Sequence, residues 1–141
     1  MSPNFASWND NIISEFRSTG GTVTTNGFGR HLILVHHLGA KSGQERIAPL
    51  RAIRHDDDTW FIAASKGGAP DNPAWFHNLR AHPEVKIETP DDGVVQVHAE
   101  VLTGPERDEA WGRFIEASPA FGNYQEKTNR IIPVLALRRQ A

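Results

Sequence analysis

Hydrophobic positions along the chain change their period several times, and each change marks an element. Trp8, Ile12 and Phe16 recur every fourth residue, Ile13 widens the stripe and Gly20-Gly21 closes it. That pattern predicts a helical segment within residues 1–21, with Ser7 as cap and Asp10 three residues on. His31 to Leu38 (HLILVHHL) is a nearly continuous apolar and β-branched run, short enough for a buried strand. Two further strands are predicted from Ile47 to Ile53 and from Thr59 to Ala64, with Asp56-Asp57-Asp58 as the solvated turn between them. Asn72-Pro73 reads as cap and first-turn proline of a second helix carrying Trp75, Phe76 and Leu79 on its apolar side. Val85–Thr89 and Val94–Leu102 flank Pro90-Asp91-Asp92-Gly93, a hairpin signal. Thr103 and Glu106 form a capping-box pair at the head of a third helix reaching Ala117. Pro119 breaks that helix, a short helical piece carries Phe121 to Lys127, and Ile131–Leu137 closes as a strand.

Helices are too few and strands too consecutive for alternating βαβ units. The order predicts an α+β fold instead, a mostly antiparallel sheet closing into a small barrel with helices packed around it. With 141 residues the chain is expected to form a single domain.

Composition narrows the chemistry. Cys is absent, which excludes disulfide scaffolds, thiolate metal sites and Cys nucleophiles. A net charge of −2 gives no reason to expect a nucleic-acid partner. No apolar run reaches the roughly 20 residues of a membrane span, so a soluble, cytoplasmic protein is expected. The apolar face of the first helix either packs on its own core or touches a membrane surface.

Two loops stand out. Gly39-Ala40-Lys41-Ser42-Gly43 is followed by Arg46, and from Lys41 to Arg54 four basic residues face one acid, Glu45. Small residues allow backbone N–H groups near an anion while Lys41 and Arg46 supply charge, although a plain glycine hairpin with solvated charges fits the same residues. Ser65-Lys66-Gly67-Gly68 falls between a strand and a helix and could cradle a phosphate or a cofactor edge. Trp75 and Asn78, three apart on the following helix, share a face that suits a ring or a polyol, or they are merely a core Trp and a surface Asn. His36 and His37 point to opposite faces of their strand, and the seven histidines contain no metal-binding pairing. Tyr124 is the sole tyrosine, so a phenolic proton donor could only be that residue.

Taken together, Gly39-x-Lys41-Ser42-Gly43-x-x-Arg46-x-x-Pro49-Leu50 and Ala64-Ser65-Lys66-Gly67-Gly68-Ala69-Pro70-x-Asn72-Pro73-x-Trp75-x-x-Asn78-Leu79 resemble the deazaflavin-dependent nitroreductase family. Thr103-Gly104-x-Glu106-Arg107 and Tyr124-Gln125-x-Lys127-Thr128-x-Arg130-x-Ile132-Pro133 extend the resemblance over Phe5–Leu137. It implies a split β-barrel, flavin-reductase-like oxidoreductase of actinobacterial type that uses reduced coenzyme F(420). The hydride would pass to a small electron-poor acceptor: an activated alkene, a quinone or a nitro compound. By the same resemblance, Lys41, Ser42, Gly43 and Arg46 would hold the coenzyme's phosphate and acidic tail, Ser65, Lys66, Gly67 and Gly68 would line its ring and phosphate side, and Pro49 and Ala64 would belong to the same cofactor site. Trp75 and Asn78 would sit beside the ring and ribityl chain, with Tyr124 or Ser65 as the proton-donating catalytic group. Ala40 replaces a usual arginine, and Phe121 a tyrosine found in one relative. An FMN oxidoreductase on the same barrel, or a non-catalytic deazaflavin or flavin carrier, are the alternatives. The assembly is expected to be a monomer or a homodimer.

Overall fold

The computed structural model describes residues 5–24, 28–65, 71–118, 120–128 and 130–140, with the side chains of residues 5–8 and 120 also outside the description. Eleven elements follow one another: α1 (Phe5–Thr19), β1 (Leu32–Leu38), β2 (Glu45–Arg51), β3 (Ile53–Asp56), β4 (Thr59–Ala63), α2 (Ala74–Ala81), β5 (Glu84–Thr89), β6 (Gly93–Val101), α3 (Gly104–Ala117), α4 (Ala120–Glu126) and β7 (Val134–Arg139). The strands form one antiparallel sheet in the order β2-β1-β5-β6-β7-β4-β3.

The two edges of that sheet are the two halves of one chain segment. β2 pairs with β1 up to Arg51↔Leu32, β3 pairs with β4 from Ile53↔Phe61, and the corner between them is Ala52, whose N–H donates to the His31 carbonyl at 2.8 Å. The single strand expected over 47–53 is therefore two, and their bend at Ala52 closes the curled sheet into a barrel. The shared segment completes the curl, while β2 and β3 each keep a single strand partner.

Strand periodicity then sorts side chains into an inside and an outside. Ile33 and Val35 of β1, Trp60 and Ile62 of β4, Val95 and Val97 of β6, and Leu135 and Leu137 of β7 fill the interior. Trp75, Phe76 and Leu79 of α2 join the same cluster, so this helix plugs the barrel. Burying each such side chain contributes roughly 1.5–3 kcal/mol. On the outside, Leu32 and Leu34 pack under Ile12 and Phe16 of α1, which explains why β1 is buried on both faces. Phe61, Val134 and Ala136 pack under Trp111 and Phe114 of α3 and Phe121 of α4.

The expected helix caps are not made. α1 begins at Phe5, so Ser7 lies inside it. Thr103 stands at the head of α3 without a side-chain cap bond, and Glu106 turns to Arg138, 3.6 Å away. Asn72 gives its side-chain oxygen to Arg130 instead of capping α2. In each case a tertiary partner or an earlier start displaces the local signal.

Candidate active site

A groove runs along β2. At one end is a cavity of about 540 Å³ lined by Pro49 and Leu50 of β2, Ser65 beyond β4, Trp75 of α2, and Phe121 and Tyr124 of α4. It shares Asn9, Ala48 and Trp75 with a second cavity of about 580 Å³, whose wall includes His37, Glu45 and Arg46. Together they offer the volume of a large elongated ligand. Aromatic rings, three hydroxyl side chains and Arg51 lie at one end, His37, Glu45 and Arg46 at the other.

The charged end is built on the β1–β2 hairpin. Gly39 N–H donates to the Gln44 carbonyl at 2.9 Å and Gly43 N–H to the Gly39 carbonyl at 2.8 Å, with Gly43 at φ +68 in the left-handed region. The Ser42 hydroxyl accepts from Gln44 N–H and covers Gly39, where an added Cβ would overlap its oxygen. Ser42 thus shapes the turn. Lys41 and Arg46 are exposed and make no hydrogen bond or ion pair with any described residue. Two unpaired cations beside a tight glycine turn are what an anionic tail requires.

Asn78 sits behind this hairpin, buried, and does not line either cavity. Its side-chain oxygen accepts from Ala40 N–H at 2.9 Å, and its NH₂ lies 2.9 Å from His37 Nδ1. Donation to Nδ1 requires the neutral ring, and burial, then Arg46, then His36 push the His37 pKa below its ordinary value. Asn78 therefore tethers the hairpin to α2. His36, on the opposite face as expected, bridges Glu45 and Glu88 at 3.2 and 2.7 Å beneath α1, where Arg17 also grips Glu88.

At the aromatic end, Trp75 lines both cavities and borders the core. Tyr124 stands edge-on to Phe121, ring centroids 5.7 Å apart, and faces the same cavity as Ser65. Ala64 departs from its expected place. Its side chain is fully buried in the barrel core, its N–H donates to the Pro133 carbonyl at 2.9 Å, and its carbonyl accepts from Arg130. Lys66, Gly67 and Gly68 lie outside the described residues.

Arg130 is the residue that sequence reasoning left without a role. Its guanidinium donates to the carbonyls of Ala64 and Ser65 at 3.0 and 2.8 Å and to the Asn72 side chain at 2.8 Å, joining both ends of segment 65–72. Burial lowers its pKa, partly offset by the charge of Asp71. Gln125 supports it from α4, donating to the Arg130 carbonyl at 2.7 Å while accepting from Ile132 N–H at 3.1 Å. The available signal was a lone arginine directly ahead of a buried apolar strand, a place where arginine persists only when its donors are satisfied. Among the described residues no group of three or more His, Asp or Glu is placed to hold a metal ion, and no described helix is long and apolar enough to cross a membrane.

The groove's residues fit an elongated ligand with a flat ring and a polyanionic tail, and relatives agree. The family profile described as F420H(2)-dependent quinone reductase matches residues 9–139. An F420H(2)-dependent quinone reductase of Mycobacterium tuberculosis is 38% identical over 111 residues, spanning 77% of this chain and 73% of the relative. The solved structure of an F420-H2 dependent reductase superposes with a TM-score of 0.69 at 37% identity, covering 77% of this chain and 95% of that one. A second solved relative, described as a domain-swapped dimer, reaches a TM-score of 0.72 at 32% identity over 96% of this chain and all of the other. Strand order, motifs and relatives converge: the chain belongs to the F420H(2)-dependent quinone reductase family, split-barrel oxidoreductases that work with the reduced deazaflavin coenzyme.

Proposed function

We propose that the groove along β2 is the site at which this chain takes up the reduced coenzyme and delivers its hydride to a small electron-poor acceptor. The observation that carries the reading is the unpartnered Arg46 at one end of a continuous groove, with unpartnered Lys41 exposed on the adjoining hairpin, and an aromatic cavity at the other end. When bound, the deazaflavin coenzyme supplies the hydride; the protein supplies position and electrostatics. Lys41 and Arg46 hold the acidic tail, and the hairpin that carries them is kept in register by Asn78. Trp75 flanks the ring, and Arg130 keeps Ser65 in place. Tyr124 and Ser65 each hold a hydroxyl proton toward the same cavity, and either can pass it to an acceptor oxygen that has received hydride. A quinone, an activated alkene and a nitro compound all meet that requirement. The chain acts as one split-barrel domain, and of the two assembly states open to it the homodimer is supported by the relative described as a domain-swapped dimer.

Fluorescence titration with oxidised coenzyme F(420) and with FMN tests the binding half. Tight F(420) and weak FMN binding is expected, and equal or reversed affinities favour an FMN enzyme. Single-turnover oxidation of the reduced coenzyme by a quinone tests the catalytic half. Tyr124→Phe keeps the ring against Phe121 and deletes only the hydroxyl, so turnover should slow by about tenfold at unchanged coenzyme affinity. An unchanged rate transfers the proton to Ser65 or water. Tight binding without oxidation by any acceptor indicates a carrier.

A further inference from the structure

Arg51, the last residue of β2, lines the aromatic cavity and also another cavity of about 500 Å³. Ala117 and Ser118, consecutive residues at the end of α3, face one cavity each, so the two spaces meet at Arg51 and the end of that helix. The far cavity is rich in cations. Arg54 and Arg113 line it, with Glu116 as a carboxylate among them. Two of the three guanidiniums are occupied. Arg54 donates to Asp92 at 2.8 Å and to the carbonyls of Asp56 and Asp57, while Arg113 lies 2.6 Å from His55 Nδ1 and against the ring of Phe61. Arg51 is half-buried and makes no hydrogen bond or ion pair with any described residue. A half-buried guanidinium with no protein acceptor keeps its donors free for a ligand, and its planar fork suits an incoming oxyanion.

We propose that Arg51 is an acceptor-specificity residue that recognises an anionic, oxygen-bearing substituent, a carboxylate or a sulfonate, on the electron-poor acceptor. The acceptor's ring lies in the aromatic cavity beside Tyr124 and its anionic arm reaches Arg51 at the mouth of the far cavity. Glu116 opposes this attraction and moderates it. The assignment rests on the reductase reading of the groove.

The test compares a naphthoquinone sulfonate with the same naphthoquinone lacking the sulfonate. Equilibrium binding is read from quenching of tryptophan fluorescence, and reduction from oxidation of the reduced coenzyme. Arg51→Gln should weaken the sulfonate by about tenfold or more relative to the neutral quinone, mostly through KM and not kcat. Arg51→Lys should restore part of that preference. Glu116→Gln should strengthen it by about two- to threefold, the opposite sign, because a partly solvent-screened repulsion is removed. Equal losses for both quinones in Arg51→Gln, or a sulfonate preference that survives it, overturn the proposal, and unfolding is excluded by an unchanged far-UV spectrum. Charge-selective binding without oxidation of the coenzyme by either quinone supports the Arg51 subsite and overturns the reductase reading. Turnover of both quinones without charge selectivity does the reverse.

Discussion

At the end of the barrel where the β3–β4 and β5–β6 turns meet, Arg54 and Arg139 both donate to Asp92, at 2.8 and 2.5 Å. Their guanidiniums lie 4.3 and 5.4 Å from the ring centroid of buried Trp60. The hydrogen bonds from Arg139 and then from Arg54 hold the Asp92 carboxyl below its ordinary range. Along the groove the same residue type is used in the opposite way: Arg46 and Arg51, with Lys41, have no acceptor among the described residues. The first set closes the fold. The second set is the one proposed to meet the ligand. Charge counts do not separate them, because Arg51 at the end of β2 and Arg54 in β3 are near neighbours in the chain yet fall in different sets; the presence or absence of a carboxylate across the sheet does.

Four experiments press on this contrast, beginning with the largest effect. Lys41→Ala or Arg46→Ala should each cost coenzyme affinity on the order of 1.5–3 kcal/mol, about ten- to a hundredfold, while leaving the melting temperature of the free protein where it was. Raising the salt should erase part of the difference, since both groups are exposed. Wild-type affinity in both variants would move the anion site elsewhere.

Arg130→Met is next. It deprives the Ala64 and Ser65 carbonyls of their donor, and a loss of about 2–3 kcal/mol in urea unfolding is expected together with weaker coenzyme binding. A stable variant that binds normally would show that segment 65–72 holds itself.

Arg54→Ala, by contrast, should lower stability by about 1 kcal/mol through the lost hydrogen bonds and the lost contact with Trp60, and leave coenzyme affinity untouched. Loss of affinity without loss of stability would erase the distinction between the two sets.

The smallest effect is a pH dependence. The native state holds His37 neutral, whereas the unfolded ring takes up a proton at about pH 6.5. Below that value the unfolded state therefore binds more protons, so stability should fall on acidification and level off below the depressed native pKa. Arg46→Ala removes one of the charges that depress it, so its unfolding midpoint should drop less than that of wild type between about pH 7.5 and about pH 5.5. An equal drop in both proteins would sever the link between His37 and the free cation.

Local periodicity was enough for most strands, for the turns at Asp56–Asp58 and Pro90–Gly93, and for the helices around Trp75 and Phe114, because each depends on neighbours a few residues apart; it missed the break at Ala52 and started the last strand at Ile131 instead of Val134. The motif spacings at 39–50, 64–79 and 124–133, read as a resemblance, pointed to the right family; of the residues they proposed for the site, Arg46, Pro49, Ser65, Trp75 and Tyr124 line the two cavities. What lay beyond the sequence were partnerships between distant residues. Ala52 closes the barrel because β2 and β3 find partners at opposite ends of the sheet order. Asn78 becomes a tether because Ala40, 38 positions earlier, comes within hydrogen-bond reach, and Arg130 becomes a brace through Ala64, 66 positions away. Ala64 turns inward by the parity of its strand, away from the ligand face its motif suggested. Whether an arginine is a structural brace or an open hand is likewise decided by which carboxylate the folded chain brings opposite it, since pairing depends on distances of a few ångströms that sequence separation does not encode.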